Sequence, residues 1–145
     1  MVTISNKVTG DKGELEIIKL IACPNCGRKL MLLPNSYPLY DVQCTGCFFR
    51  AQVKSSSGSK PRDIIRGAGW DIIDKVLKAG ALVPALITNT KWKEKGKQRQ
   101  EIRFYPFIKK TCLMKYTANI KSRERVYKMF NYNLMGIKHY VLFSK

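Results

Sequence analysis

Asp41-Val42-Gln43-Cys44-Thr45-Gly46-Cys47-Phe48-Phe49-Arg50-Ala51-Gln52-Val53-Lys54 is the stretch on which the fold turns. Phe49, Ala51 and Val53 alternate with Arg50, Gln52 and Lys54, the period of two that marks a half-buried strand. Leu39 to Val42 reads as a second strand and Thr45-Gly46 as the turn between them, so the stretch is expected to be a hairpin. Its tip holds Cys44-x-x-Cys47, and a matching Cys23-x-x-Cys26 lies upstream. Two such pairs separated by a loop are the ligand pattern of a tetrahedral Zn(Cys)4 site, each pair forming one knuckle. Gly27 and the Thr45-Gly46 turn supply the backbone freedom that a knuckle needs.

Redox chemistry would require only one pair, and no signal peptide points to an oxidising compartment, so structural zinc on Cys23, Cys26, Cys44 and Cys47 is the expectation. The fifth cysteine, Cys112, reads as a small buried apolar residue. The single histidine, His139, reads as a surface or hydrogen-bonded residue, with no nucleophile arranged around it.

Around this hairpin, 145 residues are enough for one domain, 1–145, with a real hydrophobic core. Twenty-seven Lys and Arg against ten Asp and Glu leave a net charge of +17. So large an imbalance repels itself unless a polyanion neutralises it, which points to nucleic acid. A membrane is not expected as partner, because no long apolar segment, lipidation signal or strongly basic amphipathic helix stands out. The expected location is cytoplasmic.

Along the rest of the chain, residues 1 to 13 are polar, and Glu14 to Ala22, a run short enough to fit helix or strand, is read as a helix leading into the first knuckle. Ser55 to Ser59 reads as a flexible loop. Ile65, Ala68, Ile72 and Val76 recur at helical spacing and predict a helix over Arg62 to Ala79, ended by Gly80. Gly67 and Gly69 inside it imply close packing. Leu82 to Thr88 and Ile102 to Ile108 read as strands joined by a basic connection, Trp92 to Gln100. Ser122 to Phe130 reads as a short helix and Tyr140 to Phe143 as an extended end. A hairpin, a crossover helix and a further strand imply an α/β fold with a mixed sheet.

Alternation places Gln52 and Lys54 on one face, and counting back from the turn puts Asp41 across from Arg50 to Gln52. A carboxylate, an amide oxygen and an ammonium so arranged suit phosphodiester hydrolysis. The two oxygens can hold Mg²⁺ on the phosphate while the lysine offsets the developing charge. Residues of a solvated hairpin face could show the same pattern. Beyond Lys54, the hydroxyls of Ser55, Ser56 and Ser57 with Lys60, Arg62 and Arg66 could hold phosphate oxygens. Lys91, Trp92 and Lys93 add cations beside an aromatic able to stack on a base.

Cys23-Pro24-Asn25-Cys26-Gly27, the segment Asp41 to Cys47, Gln52-Val53-Lys54-Ser55 and Gly67-Ala68 together resemble the catalytic domain of the DpnI restriction endonucleases. In that family the PD-(D/E)xK nuclease motif is interrupted by the second zinc knuckle. The resemblance runs from about Glu14 to Gly69. It implies a restriction-endonuclease-like mixed sheet flanked by helices, and a Mg²⁺-dependent endonuclease acting on double-stranded DNA, with a target containing methylated adenine. Carried over residue by residue, Asp41 and Gln52 are the Mg²⁺ ligands and Lys54 the cationic catalytic residue.

Gln52 stands where the family has glutamate. Its carbonyl oxygen can still coordinate, and Glu14 could restore a charge, since this superfamily often draws an acid from the leading helix. No winged-helix DNA-binding region is recognisable after the catalytic segment, so recognition is expected from this domain, from a homodimer or from a separate partner. Two other classes compete: a DNA-binding module that keeps the nuclease fold without its activity, and a zinc-ribbon RNA-binding or transcription-associated protein. The latter accounts for charge and cysteines but not for Asp41, Gln52 and Lys54.

Overall fold

The computed structural model describes residues 4–120 and 125–145. In chain order it comprises helix α1 (Ile4–Leu20), strands β1 (Leu30–Leu32), β2 (Val42–Cys44), β3 (Arg50–Ser57) and β4 (Ile64–Gly69), helix α2 (Trp70–Lys78), and strands β5 (Leu86–Glu94), β6 (Lys97–Tyr105), β7 (Leu113–Ile120), β8 (Arg125–Asn133) and β9 (Tyr140–Ser144). The fold is mixed α/β, mostly sheet, in two compact units. One contains residues 1–61, 84–106 and 138–145; the other contains 62–83 and 107–137.

The first unit is built on a six-stranded sheet in the order β1-β2-β3-β5-β6-β9. The expected hairpin is there, β2 pairing antiparallel with β3, Val42 opposite Ala51, but its first strand is Val42–Cys44 rather than Leu39 to Val42, since Leu39 takes φ +67° and leaves the strand conformation. β3 then pairs parallel with β5, Gln52 opposite Leu86 and Ser57 opposite Lys91. Serines 55 to 57, expected in a loop, are strand, because the parallel partner extends the ladder three residues beyond Lys54. The expected basic connection from Trp92 to Gln100 is also strand, apart from a two-residue turn. Lys95 and Gly96 both take positive φ, 49° and 77°, the conformation of a tight hairpin turn that matches strand twist. Short β1, which carried no sequence signal, pairs with β2 along Leu30 to Leu32.

Helix α1 lies on β3, and it begins at Ile4, well before the expected Glu14. A Cβ at Gly13 would stand 1.9 Å from the Ser55 hydroxyl oxygen, so only glycine lets the helix approach the strand this closely. One turn on, Ile17 is fully buried with Ile21, Val42, Ala51, Val53, Ile87 and Ile102. A polar network ties the same helix to β5 and β6. The Gln100 amide donates to Glu16 and to Asn89, both at 2.8 Å, Asn89 donates to the Gly13 carbonyl at 3.3 Å, and Lys91 pairs with Glu16.

The second unit is a three-stranded sheet, β4-β8-β7, with α2 packed on β8. Here two helix expectations fail. Residues 64–69 are a strand, paired antiparallel with β8 from Ile64 opposite Asn133, and the helix starts only at Trp70. A Cβ on Gly67 would come within 2.4 Å of the Phe130 ring and 2.6 Å of its carbonyl, so the close packing is that of a strand against its neighbour. The core side of α2 is marked by Ile73, while Ile72 is exposed. Gly80 does end it, with φ +89°. The second failure is the helix expected over Ser122 to Phe130: its described part is β8, paired on both sides, and 122–124 lie outside the described residues. Alternating aromatic and polar residues from Phe130 to Asn133 favour that strand. Cys112 is buried, as expected, and His139 is exposed beside the Tyr105 ring.

Gln100 is almost wholly buried, so Gln100→Leu removes the donor that Asn89 Oδ1 and Glu16 Oε2 share and is expected to lower stability by about 1–3 kcal/mol in urea titration. Burial raises the Glu16 carboxyl, but bonds from Lys91 and Gln100 outweigh it and hold the pKa below the ordinary 4.5. A depressed carboxylate contributes stability above its unfolded value and loses it as pH falls through the folded one. Glu16→Gln should therefore flatten the acid side of the stability profile.

Candidate functional site

The two knuckles fold in the same way. Cys23 Sγ accepts the Asn25 N–H at 3.4 Å and Cys44 Sγ accepts the Gly46 N–H at 3.3 Å, each two residues along its own turn. The four Sγ atoms lie within 4.8 Å of one another, with Cys23 to Cys47 at 3.6 Å and Cys26 to Cys44 at 3.4 Å. Zn–S bonds of about 2.3 Å would place tetrahedral sulfurs about 3.8 Å apart. Disulfides need about 2.05 Å. The donor set therefore fits a structural metal ion such as zinc, and all five cysteines are free thiols.

Their acidities diverge. At Cys47 the Asn25 side chain leads in stabilising the thiolate and brings the pKa down to about 6. At Cys26 the Arg28 backbone lowers it, but Cys44, burial and the other thiols outweigh that and push it up to about 12. A cation is what allows all four sulfurs to ionise together.

At the other end of the same hairpin stands Asp41. Its N–H donates to the Ala51 carbonyl at 2.9 Å and its carbonyl accepts the Leu33 N–H at 2.9 Å, fixing its backbone between two neighbours. The β2–β3 register runs from Gln43 opposite Arg50 to Val42 opposite Ala51, so Asp41 stands just outside the ladder, bonded to Ala51 rather than set opposite Gln52. Gln52 sends its own N–H the other way, to Ala85 at 2.9 Å, so the next N–H on β3, that of Val53, faces the β2 side just past the end of β2. Asp41 Oδ2 accepts it at 2.7 Å. Burial pushes the Asp41 carboxyl above its ordinary 3.8, while the Val53 N–H and the Lys54 ammonium pull it back in part. Gln52 and Lys54 are half-buried on the face of β3 opposite Ala51 and Val53. Glu14, also half-buried, stands in the helical turn whose Gly13 touches Ser55, one residue past Lys54.

The candidate DNA contacts fall into two groups. Ser55, Ser56 and Ser57 run beside Asn89, Thr90 and Lys91, with Trp92 and Lys93 following. The Ser55 hydroxyl is buried under α1 without a hydrogen-bond partner, and Ser56 reaches Thr90 at 3.4 Å. Lys91 is engaged by Glu16, Trp92 is half-buried, Lys93 is exposed, and Lys60 pairs with Glu94 at 3.2 Å. Arg62 and Arg66 are exposed in the second unit. Sequence reasoning missed the Glu16, Asn89 and Gln100 network, whose members lie in three separate segments. It also passed over Phe48, although paired phenylalanines after a knuckle were visible.

No protein-family model matches the chain, and no curated protein matches its sequence. No helix among the described residues is long and apolar enough to cross a membrane.

Elemental analysis should find one zinc per chain. Cys44→Ser should release it and loosen the hairpin, because Cys44 is 2% exposed and part of the core. For Asp41, whose folded pKa is raised, stability is fullest below the ordinary value and declines as pH rises through the folded one. Asp41→Asn keeps an acceptor for Val53 and should remove that decline. Asp41→Ala orphans the N–H and should cost about 1–3 kcal/mol by thermal unfolding.

Proposed function

We propose that the chain is a zinc-stabilised, Mg²⁺-dependent endonuclease acting on double-stranded DNA, with a restriction-endonuclease-like core. The observation that carries this reading is the Asp41 carboxylate held on the Val53 N–H, the residue between Gln52 and Lys54, with the Lys54 ammonium close enough to offset in part the rise that burial gives the Asp41 pKa. The order of a leading helix, an antiparallel meander and a parallel strand after a crossover supports it. So does the charge of +17.

Asp41 and the Gln52 carbonyl oxygen would hold the Mg²⁺, which when bound supplies Lewis-acid stabilisation of the scissile phosphate. Lys54 offsets the negative charge that develops on the phosphate oxygens. Glu14, from α1, is the acid available to compensate for neutral Gln52. Methylated adenine in the target, a cytoplasmic location, and a homodimer or separate recognition partner belong to the same reading.

A second reading has its own observation. Asp41 already serves the fold by holding the Val53 N–H, and Gln52, the proposed second ligand, is uncharged, as in a DNA-binding module that no longer cuts.

Plasmids of defined methylation, incubated with Mg²⁺ or Mn²⁺, decide between the two. The wild type should produce new ends, Asp41→Asn and Lys54→Ala should produce none while keeping zinc, and Gln52→Glu should cut faster at low Mg²⁺. A silent wild type with an active Gln52→Glu variant supports the binding module, and silence from both removes the nuclease reading. Duplex affinity should fall with salt at a slope of about −0.9 per phosphate neutralised, and Arg62→Ala should lessen that slope.

A further inference from the structure

The hairpin tip carries a side chain that neither the core nor the Asp41 site uses. Phe48 is 102% exposed, more than any other large apolar side chain among the described residues. It does not hang from a loose loop. Cys47 on one side belongs to the sulfur cluster, and Phe49 on the other packs edge to face against Phe104 at 5.4 Å. A phenyl ring is thus held out into solvent from a turn anchored at both ends.

Its surroundings are cationic. The Arg28 side chain crosses the second knuckle so closely that a Cβ on Gly46 would lie 2.3 Å from its Cδ and 2.4 Å from Nη1. The Lys29 carbonyl takes the Thr45 N–H at 3.0 Å and the Thr45 hydroxyl at 2.9 Å, which docks the first knuckle on the second. Arg50, beyond Phe49, donates to Gln43 at 3.0 Å and to the Tyr37 hydroxyl at 2.8 Å, with its guanidinium 5.6 Å from the Tyr37 ring. From Cys23 to Arg50 the only carboxylate is Asp41, away from the tip. A Zn(Cys)4 centre carries a net charge of about −2, which these cations offset at the surface.

We propose that this tip is a wedge for duplex DNA, with Phe48 entering between adjacent base pairs while Arg28, Lys29 and Arg50 hold the flanking phosphates. Apolar wedges unstack a base step and are stabilised by the stacked bases and by phosphate contacts on either side. A protein partner would want apolar neighbours to extend the patch, whereas the knuckles offer Arg28, Lys29, Thr45 and Gly46. The inference rests on the DNA-binding part of the reading above and not on cleavage.

Relaxation of closed circular plasmid by a metal-independent topoisomerase tests it, using Asp41→Asn protein without added Mg²⁺ so that no nicking intervenes. Binding should change the linking number of the relaxed plasmid, because an inserted ring unwinds its step whatever the sequence. Adding Phe48→Ala should abolish that change and weaken duplex binding about tenfold, with the salt slope unaltered. Phe48→Trp should retain both. Arg28→Ala should instead reduce the slope by about 0.9. One zinc per chain in each variant shows that the knuckles are intact.

Absence of duplex binding, binding without unwinding, or equal unwinding by the Phe48→Ala protein would overturn the wedge. Unwinding that depends on Phe48, in a protein whose wild type never cuts DNA, would leave the wedge standing and remove the nuclease.

Discussion

Four sulfur atoms within 4.8 Å of one another join the turn after Cys23 to the turn after Cys44, and the hairpin built from β2 and β3 inherits its register from that junction. In a sheet, slipping one residue turns every side chain to the opposite face. With Cys44 and Cys47 anchored at the tip, Gln43 meets Arg50, Val42 meets Ala51, and Gln52 and Lys54 share a face. A short three-residue strand such as β2 could not secure this pairing through its own hydrogen bonds. A bound metal contributes on the order of 10 kcal/mol to such a structure, enough to hold strands too short to persist alone.

Asp41 answers to the fold through its carboxylate and, on the proposed function, would answer to chemistry with the same group. β2 ends where β3 continues, and the Val53 N–H beyond that end would be stranded without the carboxylate that accepts it. A buried unpaired donor is costly, so the fold alone gives a reason for an acceptor at position 41. Asparagine would serve that purpose as well. A negative charge there, raised in pKa by burial and drawn down by Lys54, is what chemistry at this position would use. The same economy applies to Glu16: ionised, it neutralises Lys91 and orients Gln100, so a basic strand can lie beneath a helix without repulsion.

The two ends of the hairpin also differ in kind. The Asp41 end is hemmed in by β1, β3 and the start of β5, whereas the knuckle end projects Phe48 into solvent beside Arg28 and Lys29. On the proposed DNA-binding reading, its cations and one rigid aromatic would meet a nucleic acid's alternation of phosphate and base.

Period and spacing alone determined the cysteine quartet, the presence of the β2–β3 hairpin, the shared face of Gln52 and Lys54 and the closing strand. Each rests on a local rule, of ligand spacing, of alternation or of a few residues around a turn, that no distant residue needed to ratify. Tertiary structure decided the rest. Ile65, Ala68, Ile72 and Val76 have helical spacing, yet residues 64–69 are strand because β8 offers them a ladder and Phe130 fills the space over Gly67. Ser55 to Ser57 look like a loop, yet β5 pairs them from thirty-four residues away, and a segment's hydrogen-bond partner outweighs its intrinsic preference. The Glu16, Asn89 and Gln100 network was invisible for the same reason: its members become neighbours only when helix, strand and hairpin meet in space.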